Sequence, residues 1–169
     1  MNNIMLDLET MGSSSTSAIV TIGACYFGDK KIGKTFYCKI DLKSAMKYGT
    51  VDAATILWWL KQDENARKEI YEKKDAISLP EALKKFSIFC KPDSIIWGCG
   101  SDFDNTILCN AYRNADMKLP WKYYNNRCFR TLKNLSKIKD FQENNDKHNA
   151  LSDAIYQAKY AMETPFIFE

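Results

Sequence analysis

The sequence predicts an α/β fold, a mixed sheet flanked by helices. Three observations point to it. Three strand-like segments crowd into the first 41 residues, a fourth strand stands alone at 94–98, and helical patterns fill most of the chain after residue 52. Early strands followed by helices around one later strand suit a layered domain in which helices cover the faces of a sheet.

Each element has a local reason. Residues 3–9 alternate, so Ile4, Leu6 and Leu8 share one face while Met5, Asp7 and Glu9 share the other. Strands at 18–28 and 34–41 flank GDKKIG and read as an antiparallel hairpin, with Gly28 and Asp29 supplying the turn chemistry. Helices are predicted over 52–60, 63–73 and 79–90. The apolar run Ser94 to Trp97 reads as a buried strand, followed by a turn at Gly98 and Gly100 and an amphipathic helix over 103–115. A short strand near 121–128 would bring the sheet to five, and helices over 130–138 and 149–162 complete the pattern. With no repeat, low-complexity stretch or dividing linker, residues 1–169 are expected to form one domain. The apolar tail TPFIFE follows the last helix and docks on the domain or on a partner subunit.

Composition narrows the function classes. A hydrophobic content of 46% supports a folded core, and a net charge of +3 excludes a polycation that coats duplex DNA. No run of about 18 apolar residues could span a membrane, and the first residues read as a strand instead of a signal segment. A soluble, cytoplasmic protein is expected. The six cysteines form no CxxC pair, and a single histidine argues against a zinc site, so the thiols read as reduced core residues. Basic stretches at Lys118 to Lys122 and Arg127 to Lys139 offer compensation along a strand-binding groove or simply a solvated surface. Arg130, between Phe129 and Leu132, is the basic residue of most interest.

Four acids and the histidine carry the chemistry. Asp7 and Glu9 project together from a strand, where carboxylates are poor formers and costly beside core residues unless paired or bound to a cation. Acids make up 21 of 169 residues, so such a pair also arises by chance and fits a solvated strand face. Asp102 and Asp104 open the helix after Gly100; Asp102 reads as an N-terminal cap or helix charge. His148 and Asp153 are five residues apart, too far round a helix to share a face, which places His148 on the loop entering the last helix and Asp153 in its first turn. Trp58 and Trp59 lie about 100° apart on a helix. One packs inward, and the other flanks a groove or joins a core or subunit contact.

Together, DLET, FDNTIL and HNALSDA resemble the DEDDh branch of the DnaQ-like 3′-to-5′ exonucleases, which have an RNase H-like fold. MLDLETMG, AIVTIGACYF, ATILWWLKQ, WGCGSDFDNTIL, FRTLKNL and HNALSDA are similar, as a set, to the phage-type DexA-like and exoribonuclease-like groups. The resemblance covers about residues 3 to 162 and selects Asp104 over Asp102. It implies that Asp7, Glu9, Asp104 and Asp153 hold two Mg²⁺ or Mn²⁺ ions, with Asp7 bridging, and that His148 is the general base. It further implies hydrolysis at the free 3′ end of single-stranded DNA or RNA, with DNA favoured, releasing nucleoside 5′-monophosphates.

Thr10, Met11 and Gly12 are candidate contacts to the terminal nucleotide, Met11 being equally readable as a core side chain. Trp59 or Gln62 would line the cleft by resemblance. The rival readings are a catalytically idle binding or assembly domain of the same fold, and a proofreading subunit of a polymerase. A homodimer and a phage or prophage origin fit the resemblance too.

Overall fold

The computed structural model describes residues 1–72, 74–136, 138, 141, 142, 144 and 148–164. Five strands form one mixed sheet in the order β3-β2-β1-β4-β5. They are β1 (Asn3–Thr10), β2 (Ile19–Gly28), β3 (Lys31–Lys39), β4 (Ile95–Gly98) and β5 (Asn126–Cys128). The first three are antiparallel neighbours, whereas β4 runs parallel to β1 and β5 parallel to β4. Helices α1 (Leu42–Ala45), α2 (Ala53–Leu60), α3 (Glu64–Tyr71) and α4 (Leu79–Phe89) join β3 to β4; α5 (Asp104–Asn114) joins β4 to β5, and α6 (Phe129–Leu135) and α7 (Ala150–Glu163) follow.

The alternation in β1 sorts its side chains as its pattern demands. Ile4, Leu6 and Leu8 enter one core with Ile22, Leu83, Phe86, Ile96, Leu108 and Tyr112, beneath α4 and α5. Met5 faces the other core with Cys25, Phe27, Trp97, Phe129, Ala154 and Ala158, beneath α6 and α7. Helix α7 can lie close on the sheet because its buried face is built from Ala150, Ala154, Ala158 and Ala161. Asp7 and Glu9 are on this second face of β1, so the fold brings them under α7.

Several boundaries differ from the sequence reading. The hairpin is tighter than GDKKIG suggested: Gly28 pairs with Lys31, and Asp29 and Lys30 form a two-residue turn with φ of 49° and 58°. Both central residues of such a turn need positive φ, which matches the right-handed twist of the flanking strands. Helix α1 was not anticipated; it is one short turn whose cap, Asp41, accepts from the N–H of Ser44 at 2.8 Å. Helix α6 ends at Leu135, short of the expected 138. Asp102 is a correction: it is exposed, and the cap position of α5 belongs to Phe103, which makes no side-chain cap bond. All six cysteines are free thiols, but only Cys25, Cys38 and Cys90 are buried as expected of core residues; Cys99, Cys109 and Cys128 are partly exposed. Of the tail, residues 165–169 fall outside the described residues.

Candidate active site

Strand β1 carries Asp7 and Glu9, and α7 brings Asp153 from its first turn. Each of these three offers a ligand oxygen, and the oxygens all lie within 4.8 Å of one another. Asp104 stands beside them at the start of α5, 1% exposed. Both its oxygens accept backbone N–H groups, Oδ1 from Leu8 at 3.1 Å and Oδ2 from Cys99 at 2.6 Å. Asp104 thus ties the end of β4 to β1 while adding its charge to the cluster.

Like charges crowded where water is scarce favour their protonated forms. Burial pushes the Asp7 carboxyl well above the usual carboxylate range, with Asp104, Glu9 and Asp153 adding to the rise and the bond from Gln157 opposing it. Glu9 is pushed up to about 8, first by burial and then by Asp153, Glu69 and Asp104. Asp104 reaches about 6 through burial, restrained by its N–H donors and by Arg130. Arg130 also donates to the carbonyl of Cys99 at 3.2 Å, which fixes the cation behind Asp104.

A metal-free cluster of this kind prefers to hold protons. The folded state then binds more protons than the unfolded chain, so stability is greatest below the ordinary carboxylate range and falls as pH rises through about 6 for Asp104 and about 8 for Glu9. Melting of the metal-free protein should therefore drop between pH 5.5 and pH 8.5. Added Mg²⁺ should raise the melting temperature more at the higher pH. Equal melting at both pH values, with and without Mg²⁺, would contradict the crowding.

His148 precedes Asn149, the cap of α7, and its own N–H donates to Asp153 Oδ2 at 2.9 Å. Its ring meets Trp58 edge to face with centroids 4.9 Å apart and Trp59 at 6.2 Å. The two tryptophans divide as helical spacing requires: Trp59 is 4% exposed and Trp58 41%. The indole of Trp59 donates to the carbonyl of Thr10 at 3.0 Å, which pins the end of β1 to α2.

A cavity of about 420 Å³ opens beside the acids, lined by Glu9, Thr10, Gly12, Trp58, Trp59 and Phe103 among others. Thr10 and Gly12 stand in its wall, whereas Met11 is packed in the first core at 5% exposure. Gln62 hydrogen-bonds the carbonyl of Trp58 and does not line this cavity.

Two polar residues that the sequence reading passed over belong here. Gln157 donates from Nε2 to Asp7 Oδ1 at 2.7 Å. Its signal was available, since it follows Asp153 by one helical turn on the buried face of α7. Glu69 gave no such signal, because only the tertiary fold carries α3 to Glu9.

The chain that carries this sheet and this acid cluster is a 3′-5′ exonuclease domain. The chain belongs to the family of 3′-5′ exoribonuclease Rv2179c-like domains, whose model matches residues 2–164. It is 27% identical over 159 residues to an exodeoxyribonuclease of Enterobacteria phage T4, an alignment covering 78% of this chain and 70% of the phage protein. In fold it is similar to the nuclease domain of 3′hExo, a DEDDh family member solved with rAMP, at a TM-score of 0.61 and 14% identity over 95% of this chain and 89% of that one. It is also similar to E. coli exonuclease I in complex with a dT13 oligonucleotide, at a TM-score of 0.65 and 14% identity over 95% of this chain. The chain spans 40% of the length of exonuclease I. Among the described residues no helix is long and apolar enough to cross a membrane.

Proposed function

We propose that this chain hydrolyses single-stranded DNA or RNA from the 3′ end, one nucleoside 5′-monophosphate at a time. The carrying observation is the convergence of Asp7, Glu9 and Asp153 within 4.8 Å, beside a cavity of about 420 Å³ and with the backbone N–H of His148 bonded to Asp153. The family supports an exoribonuclease and the phage relative an exodeoxyribonuclease, so the reading covers both polymers.

The donor set fits divalent cations with oxygen preference. It consists of carboxylates alone, and bound cations would relieve the burial and crowding that raise their proton affinities. Asp7, Glu9 and Asp153 would hold two ions, Mg²⁺ or Mn²⁺, and Asp104 would complete the set through lone pairs that its backbone donors leave unused. Such a pair of ions would acidify a water and offset charge on the leaving oxygen.

The chain's own residues supply the rest. His148 accepts the proton of the attacking water as that water's oxygen bonds to phosphorus. The 3′ oxygen of the preceding nucleotide then departs. The edge contact with Trp58 limits the rotation of the imidazole. Phe103 and the exposed face of Trp58 provide a stacking surface for the terminal base, which is tolerant of base identity. Backbone at Thr10 to Gly12 lies along the wall where the terminal sugar would rest.

The test uses 3′-labelled and 5′-labelled single-stranded DNA and RNA with Mg²⁺ or Mn²⁺. Mononucleotides should leave from the 3′ label first, and the 5′ label should report a descending ladder. His148→Ala should slow turnover by roughly 10²–10⁴-fold, the usual contribution of a general base, while calorimetry shows cation binding retained. Internal cuts, or release from the 5′ end, would refute the directional reading.

A further inference from the structure

Glu69 lies on α3, outside the four acids, and is 8% exposed. A buried carboxylate is costly unless its oxygens are satisfied. Both are: Oε2 accepts from the Tyr37 hydroxyl at 2.6 Å, and Oε1 accepts from Asn149 Nδ2 at 3.2 Å. The ammonium of Lys39 stands 4.0 Å from Oε1 and binds Glu72 at 3.0 Å. Burial, together with the bonded Glu69, pushes the Tyr37 phenol up, so this hydroxyl stays a donor. Strand β3 and helix α3 thus present a fixed carboxylate oxygen to the residue that follows His148.

Asn149 has two separable contacts. Its Oδ1 caps α7 by accepting from the N–H of Ser152 at 3.0 Å, while its Nδ2 reaches Glu69. His148 itself has a φ of 64°, a left-handed backbone that a non-glycine residue keeps when its surroundings impose it. The N–H bond from His148 to Asp153 ties that turn to the acid cluster. The bond from the next residue, Asn149, to Glu69 anchors the same turn to another part of the fold.

We propose that Glu69 is a positioning residue which, through Asn149, fixes the left-handed turn at His148 and aims its imidazole at the acid cluster. This rests on His148 as the general base. The group supporting a catalytic histidine here would be a neighbouring backbone turn and its anchor. Tyr37 and Lys39 would keep that anchor in place.

The test exploits the fact that the chain has one histidine, so its ring resonances are unambiguous. Asn149→Ser keeps a good helix cap but is too short to reach Glu69. It should lower kcat by roughly 10–100-fold, the range typical of residues that orient site groups, and leave KM and cation affinity unchanged. The histidine ring protons should lose the ring-current displacement that Trp58 imposes. Glu69→Ala should repeat both effects, and Glu69→Gln should rescue them, since its carbonyl can accept from Asn149 and its amide can donate to Tyr37. The double variant Glu69→Ala with Asn149→Ser should be no slower than the worse single variant.

Wild-type kcat and unmoved resonances in Asn149→Ser would overturn the proposal, as would a double variant as slow as the product of its parents. A Glu69→Gln variant as impaired as Glu69→Ala would do the same. His148→Ala, assayed alongside, separates the two readings: full activity there overturns the base assignment, and the resonances alone then decide whether the anchor exists.

Discussion

Asp7→Asn should lose activity by roughly 10³-fold or more while its metal-free form melts higher than wild type. The first half follows from the place of Asp7 at the centre of the cluster. Its carboxyl feels Asp104, Glu9 and Asp153 together, and it shares the 4.8 Å group with Glu9 and Asp153. Loss of a single electrostatic donor at a reacting centre costs about 10²–10³ in rate, and loss of a carboxylate that held two cations, as proposed for Asp7, should exceed that. The second half follows from charge crowding. Asparagine nearly preserves shape, can still accept from Gln157, and removes one negative charge from beside Glu9 and Asp104, which burial and crowding push towards protonation.

The pairing of the two outcomes is what makes the variant informative. A damaged fold lowers both activity and melting temperature, whereas a removed ligand lowers one and raises the other. Added Mg²⁺ should then stabilise wild type and leave the variant nearly unchanged, because ligand binding stabilises only the state that binds it. Retained activity would dismiss the cluster as the catalytic centre. A lower melting temperature without metal would show that Asp7 is held by interactions stronger than its repulsions.

The division of labour between chain pattern and tertiary contact explains which of these features were legible beforehand. The period of two in β1 sufficed to place Asp7 and Glu9 on one face, because strand alternation is a local rule. The spacing of His148 and Asp153 likewise sufficed to put one on a loop and the other in a helix, and α7 does start at Ala150. Local rules did not reveal that Asp102 is exposed and that Phe103 occupies the cap position, since two acids at a helix start satisfy the same preferences. Nor could they show that Met11 turns into the core while its neighbours Thr10 and Gly12 line the cavity. A bulge between Glu9 and Thr10 breaks the alternation just there. Glu69 was invisible for a different reason. Its partners are Tyr37 and Asn149, 32 and 80 residues away, and no pattern in an exposed-looking helix announces a contact made across the fold.

Gly23→Ala is expected to impair both stability and catalysis, though its position is in β2 and carries no functional group. Gly23 faces Asp7 across the β1–β2 ladder, and α7 crosses the sheet directly above it. A Cβ at this position would stand 2.1 Å from the carbonyl carbon of Ala150 and 2.3 Å from both its oxygen and the nitrogen of Leu151. These are backbone atoms in the first turn of α7 and cannot rotate away, so the helix must lift. Overpacking of this sort costs typically 1–3 kcal/mol and sometimes more. Lifting the start of α7 also carries Asp153, the turn at His148 and, one helical turn further on, Gln157 away from Asp7. A displacement of about 1 Å at a reacting centre can cost 10²-fold in rate. The expected result is therefore a lowered melting temperature together with a kcat reduced on that order, and weakened divalent-cation binding by calorimetry because one of the three clustered carboxylates has moved. Cation affinity equal to wild type would mean that α7 yields elsewhere along its length and that Asp153 reaches the cluster without the close approach which Gly23 permits.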